Sequence, residues 1–459
     1  MSHGAASQPV DDGRGTSPWR WWALGLAAVA IFSSYYESDV IGAIADLLGR
    51  QRGFTQSQIG DLTAVISLPN IPLAVINGLL IDRYGPARVA LWAAVIGFVG
   101  AVLTAIGTPY ELMWAGRFIF GVSEGAIFIA LVAGLAQWFS RSGVALATSL
   151  FLSLARVGSF SLDTSPTWAR SLYDAGWQKP LWLGAGITGA GLVAAVLFWI
   201  LDAKRVAAAP LGVAAPREAP VRLAWRFTGA HWPRFRRRLG ELFAFDMSYW
   251  CILGLHVLYA AVFFPFRQTY AIEYLQHAKG LTLQQAGQVN AGVFAAAVFA
   301  TPFFGLLADR FGHRALMLTV GTLLLPVTFI VLGFTDLSPW ISTVLMGVSF
   351  SLVPAIIWPS TTLIVDPKRL GLALGVITLL QNVGLWSSNR VAGWLADKAA
   401  AGPANPAGYT TMLWFFGLLS LTALTSVILL WIRERGPKGH GLELAGTAKR
   451  PPAAVLGTT

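Results

Sequence analysis

Charge is what this sequence has least of. Only 12% of its 459 residues are Asp, Glu, Lys or Arg, against roughly 25% in an ordinary soluble domain. With 55% hydrophobic residues and a mean hydropathy of +0.61, a water-soluble globule would leave far too much apolar surface wetted. Cysteine is nearly absent: the lone Cys251 cannot form an intrachain disulfide and says nothing of redox compartment. The six histidines are scattered, so no metal centre is expected. No Gly-x-x-x-x-Gly-Lys-Ser/Thr phosphate loop occurs, which argues against ATP-driven transport. No nucleophile–base constellation is visible either, so neither an enzyme nor a cofactor is expected. The N-terminal stretch Ser2 to Ser17 lacks the charged-then-apolar order of a cleavable signal, and the first apolar run, from Trp21, is expected to be retained.

What is present is lipid-facing helix. In hydrocarbon the backbone must satisfy its own hydrogen bonds, which leaves helices or a closed barrel. The apolar runs have the length a helix needs to cross the membrane and show no strand-like alternation. Breaks in hydropathy give an all-α membrane protein with twelve transmembrane helices in two six-helix bundles. The spans fall near 21–46, 58–81, 87–107, 110–139, 143–165 and 179–201, then 241–266, 283–308, 314–335, 339–364, 371–396 and 409–432. The expected units are an N-tail (1–20), a first bundle (21–202), a basic linker (203–240), a second bundle (241–432) and a C-tail (433–459).

The net charge of +11 is topological. If the N-terminus is cytoplasmic, 23 of the 33 Lys and Arg fall on the cytoplasmic side and seven on the other, Arg267 and Lys279 among the seven. Both termini and the linker are therefore expected in the cytoplasm of a bacterium, with the chain in its inner membrane. The basic face meets anionic lipid rather than nucleic acid.

An internal repeat organises the chain. Gly78-Leu-Leu-Ile-Asp82-Arg83-Tyr-Gly85-Pro-Ala-Arg88 follows span 2, and Gly305-Leu-Leu-Ala-Asp309-Arg310-Phe-Gly312-His-Arg314 follows span 8. Recurrence at one place in each half is the mark of parallel six-helix repeats. The glycines Gly78 and Gly305 suit close helix approach. Asp82 and Asp309 suit pairing with basic groups or capping, and Gly85 and Gly312 suit tight turns. Together with Arg117 these residues are expected to form a cytoplasmic latch. The repeat and Gly116-Arg117-Phe-Ile-Phe-Gly121 resemble the loop and span-4 motifs of the major facilitator superfamily. That resemblance implies a secondary carrier working by alternating access.

Ionisable side chains at membrane depth are costly and mark candidate sites. Arg156 and Glu124 sit in mid-span. Residue chemistry alone leaves two readings: a buried ion pair, or a receptor in which Arg156 holds a carboxylate and Glu124 an ammonium. Asp163, Asp246, Arg390 and His256 are expected to be structural, and Glu37 and Asp39 to lie near the external end of span 1. Further segments resemble the superfamily branch that includes animal lysosomal carriers of short peptides. They are Ser67-Leu-Pro69-Asn70, Gly116 to Glu124, Ser153 to Ser159, Phe264-Pro265-Phe266, Gly347 to Leu352 with Trp358-Pro359, and Leu370-Gly371 with Gln381-Asn382-Val-Gly384-Leu385. The branch's Asn-Pro after the span-1 acid is absent here. The resemblance implies that Glu124 and Arg156 hold the two ends of a peptide. Tyr36, Asp39, Trp358, Gln381 and Asn382 are expected to complete the site. A monomeric carrier of small zwitterions, dipeptides above all, is the expectation, by facilitated diffusion or with protons as the coupling ion. Organic anions such as sugar acids are the rival cargo, and a transport-dead receptor the rival function.

Overall fold

The computed structural model describes residues 18–140, 143–208, 245–366, 369–437 and 439–444. Expectations for Arg141, Lys368, the linker beyond 208 and the ends of both tails fall outside those residues, as does the side chain of Asp309.

Regular structure among them is helical, apart from an isolated bridge between Gly402 and Asn405. The first half comprises α1 (Trp19–Arg52), α2 (Gln56–Ala64), α3 (Ser67–Tyr84), α4 (Pro86–Ile106), α5 (Tyr110–Trp138), α6 (Val144–Trp168), the short α7 (Arg170–Asp174) and α8 (Gln178–Ala208). The second comprises α9 (Met247–Pro265), a π-helical turn (Phe266–Tyr270), α10 (Ala271–Lys279), α11 (Leu283–Phe311), α12 (Arg314–Phe334), α13 (Pro339–Ile364), α14 (Leu370–Lys398) and α15 (Tyr409–Arg435). With α2–α3 and α9–α10 each taken as one interrupted rod, six long rods stand in each half. Eight rods are long and apolar enough to cross a membrane, or nine with the bent second rod, by length and composition alone. The rods that miss that measure, α1, α6 and α11, carry polar groups such as Glu37, Asp163 and Asn290 inside them.

Chemistry at the interruptions explains them. Pro69 and Pro72 remove two backbone donors just after the break at Val65 and Ile66, and the second rod bends beyond them, between Leu73 and Ile76. Pro265 ends α9 and the chain widens into the π turn. The seventh rod thus runs on to Lys279, well past the boundary of 266 expected from hydropathy. Arg267 is consequently not an external loop charge. It is buried inside the rod, with 1% of its surface exposed.

Chain direction puts the starts of α1 and α9 and the end of α15 at one end of the molecule, here the tail end. At the opposite, far end the halves are bonded together. The Asp397 carboxylate, at the end of α14, accepts from the backbone N–H groups of Gln56 (2.7 Å) and Ser57 (2.8 Å), at the start of α2. The Gln56 side chain donates to Glu273 at 2.7 Å, His277 meets Asp46 at 2.8 Å, and Arg390 meets Asp61 at 3.1 Å. Gly42 of α1 presses so closely on the π turn that a Cβ there would stand 2.0 Å from the Gln268 carbonyl oxygen.

The tail end differs. Gly85 (φ +85°) and Gly312 (φ +68°) make the tight turns expected of them. Yet a Cβ on Gly78 or Gly305 would meet nothing within 4 Å, and the same holds for Gly371 and Gly375. The expected close approach at Gly78 and Gly305 is therefore not made. Asp82, Arg83 and Arg88 are exposed and form no ion pair among the described residues, and Arg310 is exposed beside Phe311. Asp82, Arg83 and Arg88 thus stand apart at the tail end, while the halves are drawn together at the other.

Candidate substrate site

The broken second rod sets the geometry of the first half. The Leu62 carbonyl, freed where the helix breaks, accepts from Arg117 Nε at 3.1 Å. The other guanidinium nitrogens donate to the carbonyls of Glu37 (2.7 Å) and Ser38 (2.6 Å). Glu37 Oε1 lies 3.8 Å from the same guanidinium, and both side chains are buried. The flanking glycines have equally local reasons: a Cβ at Gly116 would stand 2.5 Å from Thr104 N, and one at Gly121 2.4 Å from the Ile66 carbonyl oxygen. Arg117 is thus no part of the tail-end latch. It is a buried clamp toward the far end of α5, binding α1 to the break in the second rod.

One helical turn beyond Gly121, Glu124 is only partly buried and accepts from Ser38 Oγ at 2.8 Å. Arg156, midway along α6, is also partly buried. Its guanidinium lies over three rings: Tyr35 (5.3 Å from the centroid), Phe294 (5.2 Å) and Phe350 (4.7 Å). Neither Glu124 nor Arg156 belongs to an ion pair among the described residues. The bland alternative, that the two clasp each other, is not what the structure shows. Aromatic faces supply Arg156 with a weak counter-charge without consuming its five N–H donors, so its fork stays available to a ligand.

Asp39 is spoken for. Arg267 Nη1 meets its Oδ2 at 2.7 Å, and Gln268 Nε2 donates to its Oδ1 at 2.7 Å. The second guanidinium nitrogen of Arg267 bonds Asp163. This buried triad joins α1 and α6 of one half to the π turn of the other, so Asp39 is a crossing point and not an open ligand group. Tyr36 is likewise displaced from its expected role, buried to 1% in the core. Successive helical residues point about 100° apart, and it is Tyr35 that meets Arg156. In the second half, Gln381 bonds His256 at 2.9 Å, and the Trp358 ring meets the His256 ring edge-on at 4.7 Å. Asn382 is partly buried and donates to the Thr378 carbonyl within its own helix.

Comparison with known proteins accords with this architecture. A sequence model of the Major Facilitator Superfamily matches residues 27–272 and 252–457. The human lysosomal dipeptide transporter MFSD1 is 27% identical over 416 residues, covering 89% of this chain and 85% of that protein. A probable sulfoacetate transporter of Cupriavidus necator, SauU, is 25% identical over 401 residues, covering 83% and 88%. Among solved structures, a bacterial homologue of the human lysosomal transporter Spinster, inward-facing and unoccupied, superposes with a TM-score of 0.68 at 14% identity, covering 96% of this chain and 100% of that one. The chain belongs to the Major Facilitator Superfamily of membrane transporters.

Proposed function

We propose that this carrier moves small zwitterionic solutes, with dipeptides as the principal cargo, by rocking two six-helix bundles around a midplane site. The observation that carries the reading is the pair Arg156 and Glu124, a guanidinium and a carboxylate at mid-depth with no ion-pair partner among the described residues. Carrying opposite charges unpaired into a low-dielectric site is costly unless a solute completes them. A peptide's carboxylate suits the planar fork of Arg156, and its ammonium suits Glu124. Trp358, Gln381 and Asn382 form the opposing wall. The named similarity to a lysosomal dipeptide carrier supports the same cargo.

Orientation follows from the Lys and Arg bias. The termini and linker lie in the cytoplasm of a bacterium, the carrier sits in its inner membrane as a monomer, and the far end faces outward. The conformation is then the one sealed on the outside and parted on the inside. In this reading the cargo's ammonium, rather than a proton, neutralises Glu124, so transport is facilitative. An imposed proton gradient is expected to leave the uptake rate in proteoliposomes unchanged.

The test is uptake of labelled dipeptide by reconstituted protein. Arg156→Ala and Glu124→Gln each lower uptake at least tenfold, about the loss of one charge-assisted bond to a ligand, while the folded yield holds. Uptake at the parental rate in either variant would remove the assignment. The sulfoacetate-transporter similarity favours one rival, an organic anion held by Arg156 alone. That reading predicts that Glu124→Gln leaves transport intact while Arg156→Ala abolishes it.

A further inference from the structure

Arg156 and the Asp39–Arg267–Asp163 triad have one neighbour in common. The ring of Phe294, on α11 and exposed to only 1%, lies 5.2 Å from the Arg156 guanidinium and 3.8 Å from that of Arg267. Both are within the roughly 6 Å over which a ring attracts a cation. The two cations have different partners. Arg267 is spent on the carboxylates of Asp39 and Asp163, across the boundary between halves. Arg156 has no ion-pair partner among the described residues and lies against aromatic faces, two of which, Phe294 and Phe350, belong to the opposite half. The rings pack on one another: Phe350 lies edge-on to Phe294 at 5.4 Å and stacked on Phe263 at 4.1 Å. This wall moves with the second half, whereas Arg156, Asp39 and Asp163 move with the first.

We infer that Phe294 is the positioning residue through which occupancy of the substrate site is felt at the closure between the halves. The step needs no chemistry beyond charge. A ligand carboxylate at Arg156 competes with the aromatic faces for the guanidinium, and an ion pair is stronger than a cation–ring contact. Once Arg156 turns to the ligand, the second half loses one of its attachments to the first at mid-depth. The ring is then left to Arg267, which moves with it in the second half, so at mid-depth the halves keep the ion pairs of the triad but lose the attachment through Arg156. An empty site leaves both cations on the ring and the far end shut. This inference rests on Arg156 being the substrate's cation, as proposed above, and adds the route by which its engagement reaches the closure.

The experiment replaces the ring without emptying the space: Phe294→Leu, and, where folding is in doubt, fluorinated phenylalanines at position 294. The fluorinated series keeps the shape and weakens the attraction for cations stepwise. Phe294→Trp, with the stronger face, serves as the rescue. Two readouts are taken in proteoliposomes with Cys251→Ser as background. One is the KM for dipeptide uptake. The other is the distance distribution between spin labels at Glu111→Cys and Ala404→Cys, exposed positions at the far end of the two halves. In the parent, saturating dipeptide lengthens that distance. Phe294→Leu and the most fluorinated ring are expected to raise KM about tenfold and to broaden the distance in the absence of ligand, because Arg267 has lost its backing. Phe294→Trp restores both. A variant with raised KM but a parental ligand-free distribution overturns the inference, since the ring would then serve Arg156 alone. Parental values in both readouts overturn it as well. The ligand-free distribution does not depend on cargo. If dipeptides fail to shift the parent, the substrate reading falls, and the role of the ring is still decided by whether Phe294→Leu broadens the empty carrier.

Discussion

Gly42 shows how little room a single position has. Its Cα faces the Gln268 carbonyl across the boundary between halves, and a methyl group would have to stand 2.0 Å from that oxygen. Backbone lies on both sides, so no side-chain rotation relieves the clash. Gly42→Ala is expected to fold, because α1 itself is untouched, but to hold the far end ajar. Exposed thiol probes introduced along the far half of α1 would report this as labelling several times faster than in the parent. The mid-span charges Arg156 and Glu124 were legible in the sequence because lone charges in apolar runs advertise themselves. Arg267 was not. It lies beside Glu273, His277 and Lys279, a cluster that reads as an external loop by hydropathy. Its partner Asp39 is 228 positions away, and nothing local announces the pairing. Asp39 was expected near the external end of span 1 and in the substrate site, and its bond to Arg267 was hidden for the same reason.

Helix ends carry a repeat that hydropathy overlooks. Gly53-Phe-Thr55-Gln-Ser-Gln58 and Gly280-Leu-Thr282-Leu-Gln-Gln285 occupy matching places in the two halves, and each does the same two things. The glycine closes the preceding helix in the left-handed region (φ +68° and +66°), with a backbone bond from the next residue six positions back. The threonine and glutamine then form a reciprocal cap on the next helix. The signal was available as cap chemistry, but span-length windows average it away. At the tail end the halves diverge. α4 begins with Pro86, which has no N–H to satisfy. α12 instead borrows a cap from the C-terminal segment. Glu443 accepts from Leu316 N at 3.1 Å and meets His313 Nδ1 at 3.1 Å, while the Leu442 carbonyl accepts from Arg314 N at 2.9 Å. Glu443→Ala should therefore cost about 1 kcal/mol of stability, seen as a lower unfolding temperature in detergent. The same segment carries a pH dependence. His440 bonds the carboxylate of Glu434, which raises the imidazole pKa above the ordinary histidine value. A raised folded value means the stabilisation is complete below the unfolded value and fades as pH climbs through the folded one. The unfolding temperature of the parent, compared with His440→Asn, should show an advantage at acid pH that vanishes toward alkaline pH.

For the whole molecule, the two-bundle plan was readable from the motif duplicated at Asp82 and Asp309. Which end would be closed was not, because both arrangements obey the same pattern of apolar runs. The far-end seal fixes it here, and Asp397 is its clearest member, since one carboxylate accepts two N–H groups from a helix start in the other half. Charge-assisted bonds of this kind contribute on the order of 1.5–3 kcal/mol. Asp397→Ala should accordingly shift the resting population toward a form open at the far end, read as a longer far-end label distance without any ligand. An unchanged distribution would mean the remaining crossings suffice. The character of that seal has a further consequence. Asp397, Gln56, His277 and Arg390 all lie where the solution can reach once a gap appears, and each bond they surrender can be replaced by one to a water molecule. Parting the rim is therefore an exchange of partners and not a forfeiture, so hydration itself lubricates the hinge. The Arg267 cluster, deeper and drier, has no such substitute until the gap has already filled. The carrier should consequently open from the rim inward, wetting before it rocks.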